Sequence, residues 1–142
     1  MTYRLIEVEN DEQLRQAFFI RRVVYIEEQG VPEELEFDGL DDIAENFLVM
    51  SDDEVVATFR MIYKEGFAKL ERFAVVSPWR GKGAGSFMVE AAIERSREKG
   101  YRAAQLDAQT RAIDFYKRFG FQVISGEFMD AGIPHKKMSL DL

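Results

Sequence analysis

Apolar and polar positions change rhythm several times along the chain, and each change predicts an element. Residues 3–8 alternate, which predicts a short strand. Asn10, with Gln13 three residues on, has the form of a helix N-cap and capping box. Leu14, Ala17, Phe18 and Tyr25 then fall near one face of a helix predicted over 11–28, which Gly30 and Pro32 end. Residues 33–45 read as a loop or a short acidic helix. Strands predicted over 47–50, 55–63 and 68–76 are joined by the turns Ser51-Asp52-Asp53-Glu54 and Lys64-Glu65-Gly66, an antiparallel meander. Beyond it, Phe87, Met88, Ala91, Ala92 and Arg95 follow the three-four spacing of a helix over 85–99 that Gly100 closes. A strand over 103–108, a helix over 112–119 stopped by Gly120, and a hairpin of 121–128 with 136–140 around Asp130-Ala131-Gly132 complete the order. The strand–helix–strand unit over 68–108 must be a parallel crossover, because a long helix lies in its connection. The expected fold is therefore α/β (α+β): a single domain over 1–142, with a mixed sheet of about seven strands and helices on both faces.

Composition narrows the class. At 142 residues, with 46% hydrophobic residues and 12 Phe, the chain is long enough for one packed core. No apolar run approaches the ~20 residues of a membrane span, and charged residues interrupt the start as they would not in a signal peptide. A cytoplasmic protein is the expectation. With no Cys and a single His, neither a disulfide framework nor a multi-ligand metal site is expected. The net charge of −7 divides unevenly: residues 1–54 hold 16 acids and 4 bases, and residues 55–142 hold 10 acids and 15 bases. Seven of those acids lie between Glu33 and Glu45 with no base among them. The sign argues against duplex nucleic acid. The asymmetry leaves two readings open: a solvated acidic loop, or an acidic face toward a cationic ligand opposite a basic half that takes an anion.

The chemistry concentrates in Arg80-Gly81-Lys82-Gly83-Ala84-Gly85-Ser86, between a strand and a helix. Three glycines in five residues allow close backbone approach, and free N–H groups at the helix start, with Arg80 and Lys82, form a cradle suited to a pyrophosphate. It is not a Walker A loop. It also departs from the dinucleotide fingerprint, since Ser86 stands where the third glycine should be, although Asp107 lies about 20 residues on as a ribose-binding acid would.

Arg80-x-x-Gly83-x-Gly85 resembles the [Q/R]-x-x-G-x-[G/A] signature of the GNAT superfamily of N-acetyltransferases. Gln109-x-x-Ala112-x-x-Phe115-Tyr116, followed by Gly120-Phe121, is similar to that family's second signature, with Gln109 in place of the usual Asn. Arg21-x-x-Val24-Tyr25-Ile26-x-Glu28-Gln29, Ala108-Gln109 and Asp130-Ala131-Gly132-Ile133-Pro134-His135 resemble the ElaA/YjcF-like branch of small bacterial members, though Asn46 stands where many of them carry His. The resemblance implies acetyl-CoA as co-substrate. Its pantetheine arm would lie along Phe73-Ala74-Val75 and its pyrophosphate on Gly81 to Ser86. Gln109, Ala112, Phe115 and Tyr116 would also touch it. The Val75 N–H would polarise the thioester carbonyl, and Tyr116 would protonate the departing thiolate. The acceptor would be a small-molecule or peptide amine, attacking directly. A homodimer is compatible with the chain.

Glu71 is the candidate general base, because the two-residue strand period places it on one face with Phe73 and Val75; the other reading is a surface Glu paired with Lys69 or Arg72. His135 is a weaker candidate for the base; beside Lys136 and Lys137 it reads first as a turn histidine. A non-catalytic acyl-CoA sensor and a nucleotide-binding oxidoreductase are the competing functions. Of the two readings of the Glu33–Glu45 acids, the one facing a cationic amine is the one the resembling fold suggests.

Overall fold

In the computed structural model, residues 2–142 are described. One mixed sheet runs through the molecule. Its strands are β1 (Tyr3–Glu7), β2 (Glu45–Ser51), β3 (Glu54–Lys64), β4 (Phe67–Val75), β5 (Ala103–Gln109), β6 (Gln122–Val123), β7 (Phe128–Asp130) and β8 (Ile133–Asp141). Eight strands replace the expected seven or so. The spatial order is β1-β2-β3-β4-β5-β8-β6, with β7 on β8. β1 to β4 pair antiparallel in sequence, as the meander requires. The 121–128 strand expected from sequence is broken into β6 and β7, because Ser125-Gly126 leaves the ladder and Ser125 Oγ instead accepts from the Lys137 backbone N–H at 2.8 Å. β7 and β8 meet at Ala131 (φ 51°) and Gly132 (φ 76°), two left-handed residues in a tight two-residue turn. That turn sets Phe128 opposite His135, so β8 starts at Ile133 rather than at residue 136.

Helix α1 (Asp11–Arg21) is capped as expected, the Asn10 side chain accepting from the Gln13 N–H at 2.8 Å. The expected α-helix over 11–28 holds only to Arg21; Arg22–Glu28 is π-helical, a wider turn often found at functional sites. A one-turn helix α2 (Glu33–Glu36) follows. α3 (Ala84–Glu98) is the crossover helix between β4 and β5. After β5, Thr110–Ala112 is a 3-10 turn leading into α4 (Ile113–Lys117), which is shorter than the 112–119 expected.

The alternation of β3 divides the interior. Phe59 and Met61 join α3 residues Met88, Val89 and Ala92 in the main core on one face, with Phe47 and Phe59 stacked at 4.8 Å. On the other face, Ile20 and Val24 pack on Ala74. Thr58 and Arg60, also fully buried, point the same way. Helices thus cover both faces, as expected.

Candidate active site

The parallel pair at the centre of the sheet is incomplete. β4 and β5 are in register only at Ala68 with Ala104 and Lys69 with Gln105. Beyond that point the strands splay, and their carboxyl ends leave a gap. A cavity of about 500 Å³ fills it, walled by Leu70, Phe73, Leu106, Gln109 and Tyr116 among others. In open α/β sheets ligands bind outside the carboxyl ends of the strands, where neighbours part.

A bulge in β4 determines what faces the gap. Thr58 pairs with Ala74 and Arg60 with Glu71, so Phe59 alone stands opposite both Arg72 and Phe73. Arg72 takes φ 59°, uncommon for a residue with a side chain. Its guanidinium is held by Glu36 (Nε–Oε2 3.1 Å) and Asp38 (Nη2–Oδ2 3.2 Å). The extra residue reverses the alternation. Phe73 stacks on Phe59 at 5.3 Å, toward α3, whereas Glu71 turns to the α1 face with Arg60. The expected shared face of Glu71, Phe73 and Val75 is therefore corrected: the bulge at Arg72 separates Glu71 from the other two. Glu71 still lines the cavity, but one of its oxygens is 2.8 Å from Arg60 and the other 3.1 Å from Lys69.

The gap consequently has two chemically different sides. Toward α3 lie Phe73 and Tyr116, with ring centroids 6.3 Å apart, and Tyr116 packs edge-on against Phe115 and Phe121. Burial pushes the Tyr116 phenol up to about 12, so it stays protonated at neutral pH. Toward α1 lie charged and polar groups: Lys69 and Glu71 from β4, Asp107 and Gln109 from β5, His135 from β8. Asp107 is paired with Lys69 at 3.5 Å and Lys137 at 3.1 Å. The π-helical turn aims Tyr25 and Gln29 into the same space. Tyr25 donates to the Phe73 carbonyl at 2.5 Å, and its phenol is pushed above the usual range by burial first and by Tyr116 second. The Gln109 amide donates to Gln29 at 2.9 Å, a bridge across the cavity mouth.

At the end of β4 the glycine loop forms as the sequence suggested. Gly81 (φ 74°) and Gly83 (φ 89°) are left-handed, and Gly83 is the N-cap of α3 with no side chain capping it. The first N–H groups of a 15-residue helix are therefore left for a ligand. Gly85 serves packing instead: a Cβ there would stand 3.4 Å from Phe115 Cζ. Val76 N donates to Val56 O, so by antiparallel alternation the Val75 backbone groups face the gap. Ala74 points its methyl group to the α1 core. The Arg80 side chain does not turn into the loop: Nε donates to Val75 O at 3.0 Å and Nη2 pairs with Glu28. The Lys82 ammonium lies over Trp79, 5.4 Å from the ring centre. Left-handed glycines, uncapped helix N–H groups and a strand edge leading to a gap leave room for an elongated ligand with an anionic end.

The acidic window is mostly tied down by buried bases rather than left as a solvated loop or a free acidic face. Arg21, 1% exposed, binds Glu36 at 2.8 Å and Asp41 at 2.7 Å. Arg60, 0% exposed, binds Asp38 at 2.7 Å and Asp41 at 3.3 Å. Glu33 pairs with Arg22, and Glu45 with Arg95 at 2.6 Å. Bases distant in sequence pair with five of the seven acids, Glu34 and Asp42 staying exposed without an ion pair among the described residues, and residues 35–40 are held against the cavity, with Leu35, Asp38 and Leu40 on its wall. Sequence reading missed Tyr25, Gln29, Arg72 and Asp107 as members of the site. The Tyr25-to-Gln29 spacing lay in plain view, but only the π-turn shows that it faces the gap. Among the described residues no cluster of His, Asp or Glu could hold a metal ion, and no helix is long and apolar enough to cross a membrane.

Comparison with known proteins agrees with this fold. Residues 9–142 match the model of the acetyltransferase (GNAT) domain. The chain is 38% identical over 139 residues to the uncharacterized N-acetyltransferase YjcF of Bacillus subtilis strain 168, covering 97% of this chain and 99% of that one. In fold it is similar to Escherichia coli ElaA (TM-score 0.85, 22% identity, 99% of each chain). It is also similar in fold to a GNAT family acetyltransferase from Elizabethkingia anophelis with acetyl-CoA bound (TM-score 0.80, 11% identity, 99% of this chain and 98% of that one). The chain belongs to the GNAT acetyltransferase family, enzymes that take the acetyl group from acetyl-CoA.

Proposed function

We propose that the protein acetylates a primary amine, cationic in solution, by direct attack on acetyl-CoA. The observation that carries this reading is the two-sided gap: an apolar wall with a protonated tyrosine toward α3, and a polar wall toward α1. The co-substrate would enter from the cradle, its pyrophosphate on the backbone of Gly81, Lys82, Gly83, Ala84, Gly85 and Ser86. Its pantetheine arm would run along the Phe73-Ala74-Val75 edge, with Gln109, Ala112 and Phe115 beside it. The Val75 N–H would donate to the thioester oxygen as negative charge develops there. Tyr116 would give its proton to the departing thiolate.

A cationic acceptor is supported by Asp130 rather than by the acidic window, whose carboxylates Glu36, Asp38 and Asp41 are bound to arginines. Asp130 lines the cavity and has no ion-pair partner among the described residues. Tyr116, protonated and beside the gap, favours catalysis over passive acyl-CoA binding. The test is calorimetric titration with acetyl-CoA followed by a panel of primary amines scored by CoA thiol release. Binding with release is expected. Binding without release for every amine would make the protein a sensor, and no binding would remove the acetyl-CoA reading of the cradle.

A further inference from the structure

We infer that His135 takes the proton from the acceptor ammonium, so that the β7–β8 hairpin contributes a catalytic base; this rests on the amine-acetylation reading above. His135 is 8% exposed and lines the cavity from the α1 side, opposite Gln109 of β5 and Phe128 of β7. Its ring stacks on Phe128 with centroids 5.9 Å apart, which fixes its plane. Nδ1 lies 2.7 Å from the Ile133 carbonyl. A carbonyl only accepts, so Nδ1 carries the hydrogen and Nε2 keeps its lone pair. Nε2 has no hydrogen-bond partner among the described residues.

Apart from Asp130, the other proton acceptors on this wall are engaged. Glu71 is bound by Arg60 and Lys69, Asp107 by Lys69 and Lys137, and Asp38 by Arg60 and Arg72. Tyr25 spends its hydroxyl on the Phe73 carbonyl. Asp130 shares the hairpin face of His135, two ladder positions from it, and is placed to hold the ammonium while the imidazole deprotonates it.

Protons then balance. R–NH3+ gives one proton to Nε2, forming imidazolium and R–NH2. The amine nitrogen attacks the thioester carbon, the C–S bond breaks, and Tyr116 protonates the sulfur. The nitrogen's second proton returns to the Tyr116 oxygen, through water or directly. Imidazolium releases its proton to solvent. One ammonium and one acetyl-CoA yield one amide, one CoA thiol and one proton.

The test compares wild type with His135→Gln and His135→Ala, using acetyl-CoA and primary amines graded from propylamine to trifluoroethylamine, across a range of pH. With propylamine at neutral pH, His135→Gln should lower kcat/KM by roughly 10²–10⁴-fold while acetyl-CoA affinity is kept. The deficit should shrink for trifluoroethylamine, whose ammonium gives its proton to water at neutral pH. It should also shrink for propylamine as pH rises. Added imidazole should restore rate to His135→Ala. The cavity that His135 lines also carries Tyr25, Asp38, Lys69, Glu71, Arg72, Asp107, Arg111, Tyr116 and Asp130, and of its carboxylates only Asp130 has no ion-pair partner among the described residues, so Asp130→Asn is run alongside. An acidic limb lost in Asp130→Asn but kept in His135→Gln would overturn the inference. So would an unchanged rate with propylamine, or an equal deficit at every amine and pH without imidazole rescue, which would mark a structural role in the hairpin. If wild type releases no CoA with any amine, the amine-transfer reading itself falls, and the inference with it.

Discussion

Tyr116 shows what a single residue contributes once its surroundings are known. A tyrosine on a short amphipathic helix is ordinarily a packing residue. Here its ring is wedged between Phe73, Phe115 and Phe121, and burial alone raises its phenol to about 12. A phenol that stays protonated at neutral pH is suited to donating to a thiolate and unsuited to acting as the base. Tyr116→Phe is expected to lower kcat by roughly 10²–10⁴-fold with little change in acetyl-CoA affinity, since the ring and its packing are kept. Steady-state kinetics with titration of acetyl-CoA checks this; an unchanged kcat removes the proton donor while leaving the site intact. The second signature motif made Tyr116 legible in the sequence. Glu71 was legible as a charged residue on β4 but not in its direction, because one residue of bulge reverses the face of everything before it.

At the scale of elements, the cradle depends on backbone conformation more than on charge. Arg80 and Lys82 drew attention in the sequence, yet the Arg80 side chain ties Val75 to Glu28 and the Lys82 ammonium rests over Trp79. What the loop offers an anion is the start of α3, opened by Gly83 at φ 89°. Gly83→Ala is expected to weaken acetyl-CoA binding, because the left-handed conformation costs a Cβ-bearing residue about 1–2 kcal/mol and the loop must shift to relieve it. Calorimetric titration measures the loss; unaltered affinity would show that the loop conformation is not part of the cradle. The glycine spacing and helix start were plain from sequence. The π-turn that aims Tyr25 and the bulge that turns Glu71 were not, because each is a change of backbone hydrogen bonding and register that no residue pattern marks.

Across the whole molecule, charge is an internal fastening. Arg21 and Arg60 lie buried under residues 33–42, and removing one partner from such a pair costs about 3–5 kcal/mol through the unpaired charge left behind. Glu45 fastens β2 to α3. Burial works to raise its carboxyl, but hydrogen bonds from Arg95 and Tyr63 and the charges of Arg95 and Lys99 outweigh it and bring it from 4.5 to about 2. The Asp38 carboxyl is likewise held well below the usual range, burial being outweighed by the Arg60 and Leu40 hydrogen bonds and the charges of Arg60 and Arg72. Between about 4.5 and about 2 the unfolded chain binds protons at Glu45 that the native state refuses, so stability falls as pH drops through that window. Thermal unfolding midpoints followed down in pH should decline there, and Glu45→Gln should flatten the decline; equal slopes would refute the assignment.

The sequence by itself determined most of the element order, the parallel crossover, the glycine loop and the family, because periodicity, glycine spacing and motifs are local patterns. The tertiary structure alone decided which charges meet and which side chains face the gap. Arg21 and Arg60 reach Asp41 across 20 and 19 residues, and a one-residue bulge reverses a strand face, so neither fact is contained in any short stretch of chain.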